Sequence, residues 1–188
     1  MKIGFFGGSF NPPSYVHIEL AKALINEYNL DKVIFVPVGD YYEKASLISS
    51  NHRYNMLMLA IEDEEKLEID STAIESKNKL YAVDTFKLLK EKYKKDDIFF
   101  IMGSDNFRKM PNWKDYNELI NEYNIIVIER ERKEIRKTNR KNIFCYIPKE
   151  WQEVDSTKIR KMIKNNENAE AFLNPKVFNY IKKNKLYK

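Results

Sequence analysis

The chain has 188 residues, 43% hydrophobic and 32% charged, with 33 Lys and Arg against 28 Asp and Glu for a net charge of +5. That composition suits one domain with a real core and excludes a disordered chain. A single cysteine, Cys145, excludes an internal disulfide and a cysteine-built zinc site, and the mild, dispersed positive charge reads as solvated lysine surface, not a nucleic-acid patch.

In chain order, the apolar run Ile3 to Phe6 predicts a first strand that enters a Gly7–Gly8 turn. An Asn11–Pro12–Pro13 corner follows. Val16, Leu20, Leu24 and Tyr28 then recur at helical spacing to about Asn29. Lys32 to Val38 reads as a strand buried on both faces, because its Val, Ile and Phe do not alternate with polar residues. Pro37 and Gly39 mark where the chain leaves the sheet. Asp40 to Ser50 is a polar-aromatic loop. A helix from His52 to about Glu62, capped by Ser50 or Asn51, precedes a short strand at Leu67 to Asp70 and a loop to Lys79. Ala82, Phe86, Leu89 and Tyr93 give a second helical stripe. Asp97 to Met102 is a further strand, then comes a helical or irregular segment around Trp113, and then Tyr116 to Tyr123. Asn124 to Glu129 and Asn142 to Pro148 are the last strands, separated by a charged run taken as an exposed loop. Cys145 falls in the final strand and is expected as inert core. Helices at Lys158 to Lys164 and about Pro175 to Lys183 close the chain.

Strands alternating with helices predict an α/β fold with a Rossmann-like, doubly wound parallel sheet. In such sheets ligands lie beyond the carboxyl ends of the strands, where the strand order switches. Polar clusters follow the strands at the matching places: Gly7 to His17, Gly39 to Lys44, Gly103 to Asp105 and Asp155 to Arg160. One composite cleft is therefore expected. A strand, a glycine turn and a helix N-terminus make an anion site, since the backbone amides and the helix end both present positive charge. The loop is neither the G-x-G-x-x-G dinucleotide fingerprint nor a Walker loop.

The other clusters each have a plainer alternative. Ser156 and Thr157 at a helix start, with Arg160 one turn on, form a second phosphate site or a simple N-cap. Asp105 accepts hydrogen bonds from a ribose or a base, or caps a helix. Trp113 is a stacking platform or packs under its own loop. Lys44, His52 and Arg53 bind phosphate or are solvated surface.

Gly8-Ser9-Phe10-Asn11-Pro12-Pro13-Ser14-Tyr15-Val16-His17 resembles the G-x-F-N/D-P-x-H/T/S-x-G-H signature of the nucleotidylyltransferase superfamily. Ser14 stands where many members carry His, and Val16 where nearly all carry Gly. Ser156-Thr157-Lys158-Ile159-Arg160 is similar to the superfamily's S-S/T-x-x-R segment. Ala82 to Thr85, Met102 to Asn106, Trp113 to Asp115 and the close Leu173 to Ile181 with Leu186–Tyr187 look like one subgroup, the bacterial nicotinate-nucleotide adenylyltransferases. The similarity covers nearly the whole chain.

The resemblance implies one nucleotidylyltransferase domain over residues 1–188, with the helices from about 156 completing the ATP site. It implies transfer of AMP from ATP to nicotinate mononucleotide, releasing pyrophosphate. Another phosphorylated acceptor, or a nucleotide-binding paralogue with little turnover because of Val16, are the alternatives. His17, Ser14 and Arg160 would be catalytic. Gly8, Ser9, Phe10, Gly103, Asp105, Ser156 and Thr157 would hold ATP with His17 and Arg160. Asn11, Lys44, Thr85, Trp113 and Lys114 would hold nicotinate mononucleotide, with backbone amides near Thr85 and Lys114 on its carboxylate. Mg²⁺ would be bound mainly through ATP phosphates, with no protein cage. Neither nucleic acid nor a membrane is expected as partner, oligomeric state is left open, and a cytoplasmic location is expected, since Met1 enters the first strand at once and no apolar run reaches membrane-spanning length.

Overall fold

The structure, a computed structural model, describes residues 1–41, 46–129, 140–148 and 155–188. Lys44 and most of the charged run before the last strand lie outside them. The described elements run β1 (Lys2–Gly8), α1 (Tyr15–Tyr28), β2 (Lys32–Pro37), α2 (Ser50–Ile61), β3 (Leu67–Ile69), α3 (Thr72–Glu75), α4 (Ala82–Lys92), β4 (Asp97–Gly103), α5 (Ser104–Lys109), α6 (Tyr116–Glu122), β5 (Asn124–Ile128), β6 (Ile143–Tyr146), α7 (Ser156–Lys164) and α8 (Pro175–Lys183), with single 3₁₀ turns at Met110–Asn112 and Glu170–Phe172. The sheet order is β3-β2-β1-β4-β5-β6. Every pairing is parallel. This is the doubly wound α/β sheet that the alternation of elements predicts, with its switch point between β1 and β4.

The strands read as unbroken apolar runs because helices cover both faces. Alternate residues go to opposite layers. Phe6, Phe35, Ile101 and Ile126 pack with α1, α2, α7 and α8. Phe5, Ile34, Phe100 and Val127 pack with α4 and α6. Phe86 lies flat on Phe100 at 3.5 Å between ring centroids. Among the described residues no helix is long and apolar enough to cross a membrane.

Three details depart from the sequence reading. The buried face of α1 is Ile18, Ala21, Leu24 and Ile25, so the helix is turned from the expected stripe and Leu20 and Tyr28 only flank the core. Cys145 is exposed, not core: it shares a face with the buried Ile143, but β6 is the edge strand, with no neighbouring strand on its outer side. The loop before Lys79 contains the single turn α3, which Asp70 caps by accepting the Thr72 amide at 2.9 Å.

Asp70 is itself 2% exposed and also accepts from Lys92 Nζ at 2.8 Å and Tyr93 Oη at 3.3 Å. Burial alone would raise its pKa, but the hydrogen bonds from Lys92 and Thr72 outweigh it and hold the carboxyl below its usual value. A depressed carboxylate stabilises the fold above its unfolded pKa of about 4 and loses that contribution as pH falls through the folded value. Asp70→Asn is therefore expected to cost about 1–3 kcal/mol at pH 7. The gap from wild type should close toward pH 3 in denaturant titrations.

Gly39 meets a different constraint. A Cβ here would collide with the backbone carbonyl oxygen of Ala73 in α3. A Cβ on Gly7 would meet nothing within 4 Å. Gly39→Ala is expected to destabilise by about 1–3 kcal/mol, as overpacking does, and Gly7→Ala to leave the denaturation midpoint unchanged.

Candidate active site

At the carboxyl end of β1 the chain turns on Gly8. A side chain there would press on the Phe10 ring, whose nearest atom stands 2.9 Å from a built Cβ. Phe10 adopts φ 46°, in the left-handed region. It is 3% exposed and packs edge-on to Phe6, Phe35 and His17 at 5.8, 5.3 and 5.3 Å. Phe10 thus anchors the loop in the core rather than lining its open side.

His17 sits in the first turn of α1, three residues after the N-cap Ser14. Its Nδ1 accepts the Ser14 backbone N–H at 3.1 Å and lies 2.9 Å from Ser14 Oγ. A backbone N–H only donates, so Nδ1 is the acceptor nitrogen and the proton of the neutral ring is on Nε2. The loop therefore fixes the tautomer and leaves a donor at the far side of the ring. Val16 lies half-buried between these partners, and the contact forms with it in place.

The start of α7 docks on the same corner from the far end of the chain. Ser156 Oγ donates to the Pro12 carbonyl at 2.9 Å, and Arg160 Nη1 to the Asn11 carbonyl at 2.8 Å. Arg160 Nη2 reaches Thr157 Oγ1 at 3.3 Å. Asp155 caps the helix, accepting the Lys158 amide at 2.8 Å. This corrects the expected role of Ser156: its hydroxyl proton goes to Pro12, so it docks the helix instead of meeting an anion. Asn11 is likewise turned inward. It is 3% exposed, its Nδ2 donates to the Ser46 carbonyl at 2.8 Å, and its Oδ1 accepts from Tyr187 Oη at 2.8 Å.

Arg53 overturns both readings offered for it. It is fully buried, neither solvated nor on a ligand. Its guanidinium donates to the carbonyls of Ile48, Ser9 and Val38 at 2.9, 3.1 and 2.6 Å, and to Asp40 at 3.4 Å. Burial pulls its pKa down, while Asp40 pushes it back up. Arg53 thereby ties the glycine loop to the loop after β2. His52 instead pairs its Nδ1 with Tyr180 Oη at 2.9 Å.

A second group gathers at the start of α4. Lys114 Nζ pairs with Asp84 Oδ1 at 3.1 Å and stands 5.2 Å over the Tyr81 ring, fastening the Trp113 loop to this helix end. Trp113 is half-buried against the core. The Thr85 amide donates to the Tyr81 carbonyl at 3.1 Å. It is therefore committed, and the first-turn amides ahead of it, Ala82 to Asp84, are the ones an α-helix leaves without an intrahelical partner. Gly103 ends β4, and Asp105 lies in the first turn of α5. Among the described residues no three His, Cys, Asp or Glu side chains cluster to hold a metal ion.

The cytidylyltransferase-like family model matches residues 5–162. A Borreliella burgdorferi protein named as a probable nicotinate-nucleotide adenylyltransferase is 36% identical over 189 residues, covering 100% of this chain and 97% of its own length. The nicotinate-nucleotide adenylyltransferase of Bacillus subtilis is 32% identical, over 99% of this chain and 98% of its own. The chain belongs to the nicotinate-nucleotide adenylyltransferase family. The fold agrees: a Plasmodium falciparum nicotinic acid mononucleotide adenylyltransferase complexed with NaAD superposes with a TM-score of 0.84 at 24% identity, over 99% of this chain and 97% of that one.

Within this family frame, one buried acid escaped the sequence reading. Glu129, immediately after β5, is 3% exposed and accepts from Ser104 Oγ at 2.6 Å, bracing the turn after Gly103. An acid closing the run Asn124 to Ile128 was the available signal, but a strand end also tolerates a solvated glutamate.

Proposed function

We propose that the chain transfers the AMP unit of ATP to nicotinate mononucleotide, giving nicotinate adenine dinucleotide and pyrophosphate. Full-length kinship with the family supports this, and the observation that carries it is the mounting of His17. The attacking group is already a phosphate anion, so no general base is required. The work is alignment and neutralisation of charge on the transferring phosphoryl group. His17 donates from Nε2 to an α-phosphate oxygen as negative charge builds. Arg160, with N–H groups beyond the one on Asn11, and the loop amides that follow β1 take the outer phosphates. Gly103 and Asp105 bound the nucleoside side, and the start of α7 completes the ATP site.

The donors around His17 are amides, imidazole, guanidinium and hydroxyl. This set fits phosphate oxygens and suits a Mg²⁺ ion carried in on ATP through those oxygens and water. Bound there, the ion would offset phosphate charge.

Trp113 stacks on the pyridine ring, and the first-turn amides of α4 with Lys114 receive the acceptor's carboxylate. A carboxamide would turn N–H groups against N–H groups, which disfavours nicotinamide mononucleotide. Pyrophosphate release should therefore be fast with nicotinate mononucleotide, slow with nicotinamide mononucleotide, and absent without acceptor. Equal release with all three would contradict the proposal.

A further inference from the structure

Residues 185–187 hold a conformation that a loose tail would not keep. Lys185 and Tyr187 have φ of 52° and 65°, left-handed values that non-glycine side chains adopt only where their surroundings impose them. Leu186 between them is 8% exposed and packed in the core. The consequence is that the Tyr187 hydroxyl reaches Asn11 Oδ1, 176 residues away in sequence, at 2.8 Å. Burial pushes the pKa of this hydroxyl well up, against the pull of Arg160 and Arg53. It is therefore protonated and donates.

Asn11 is the junction of three segments. The Ser46 carbonyl only accepts, so it must face the Asn11 nitrogen, which leaves Oδ1 for Tyr187. The Asn11 carbonyl takes Arg160. Two prolines then link Asn11 rigidly to Ser14, whose amide orients His17. Resting on the adenylyl-transfer reading, we infer that Tyr187 is a positioning residue: its hydroxyl fixes Asn11, and through Asn11 and the proline corner it sets the aim of His17 and the seat of Arg160. The tail thus belongs to the nucleotide site although it touches no substrate.

Tyr187→Phe deletes only the hydroxyl. Tyr180→Phe is the matched control, since the Tyr180 hydroxyl also comes from the C-terminal region but bonds His52 and Asn55. Tyr187→Phe is expected to lower kcat/KM for ATP about tenfold, the scale of one buried hydrogen bond. It should weaken ATP binding in calorimetry and shift the His17 ring ¹⁵N resonances, with a Tm close to that of Tyr180→Phe. Tyr180→Phe should keep wild-type kinetics and the wild-type His17 signals. The inference is overturned if Tyr187→Phe matches wild type in all three readouts, or if both variants lose activity only as they lose Tm. A wild type that binds ATP but releases no pyrophosphate would overturn the adenylyl-transfer reading alone. ATP affinity and the His17 resonances would then decide the positioning role.

Discussion

His17→Ala is expected to lower kcat about 10²–10³-fold, the loss typical of removing one donor aimed at developing negative charge. KM for ATP should change far less, because the donor matters most when charge builds on the α-phosphate. The tautomer of His17 is what makes this donor available. Nδ1 accepts from the Ser14 amide at 3.1 Å, so Nε2 carries the proton without any shift in protonation on binding. Alanine also removes the acceptor that serves the Ser14 amide, which alone would cost some stability. His17→Gln separates the two effects. Glutamine at this position of a helix can accept back from the N-cap amide, so stability should recover while the rate stays low. Steady-state kinetics on both variants, with their melting temperatures, check this. A His17→Gln enzyme with wild-type kcat would remove His17 from the chemistry.

Arg53→Leu is expected to destabilise the protein by about 3–5 kcal/mol, the cost of breaking a buried ionic hydrogen-bond system from one side. The Tm should fall by about 6–20 °C for a chain of this size. Asp40, with its side chain 55% exposed, is hydrated and contributes little of this. The cost lies in the carbonyls of Ser9, Val38 and Ile48, which lose a shared donor. Arg53→Lys should recover only part of it, because one ammonium cannot reach three carbonyls as a planar guanidinium fork does. Denaturant unfolding measures both variants. Residual folded Arg53→Leu should also show a raised KM for ATP, since Ser9 lies in the loop proposed to hold the nucleotide.

These two residues show what the sequence could convey. His17 was legible because a histidine after a glycine turn and two prolines is local information, and spacing alone puts it at a helix start. The strands and their parallel sheet were legible for a similar reason: apolar runs such as Lys32–Pro37, alternating with helical stripes, leave few arrangements other than a doubly wound sheet. Arg53 was not legible. An arginine in the first turns of a helix that begins with polar residues looks solvated, and its burial comes from three carbonyls brought together only by the fold. Asn11 and Ser156 looked like ligand contacts because of their place in the motifs, yet the fold spends both on docking α7 and the tail. Thr85 lies near the start of α4, where sequence alone leaves its amide open to a ligand, but that amide already closes the first turn onto Tyr81. The α1 stripe was misplaced because Val16 and Leu20 suited helical spacing as well as Ile18 and Ile25 did. Only the sheet beneath could decide between them.

Passage of an AMP unit from ATP to nicotinate mononucleotide at the His17 site can be followed directly. The most direct test follows ATP labelled in its α-phosphate, with nicotinate mononucleotide and Mg²⁺, on wild type and His17→Gln. Label is expected in nicotinate adenine dinucleotide with wild type, and its arrival is expected to slow about 10²–10³-fold with His17→Gln. Label that stays in ATP with wild type, or that reaches the dinucleotide equally fast with both, would contradict transfer at this site.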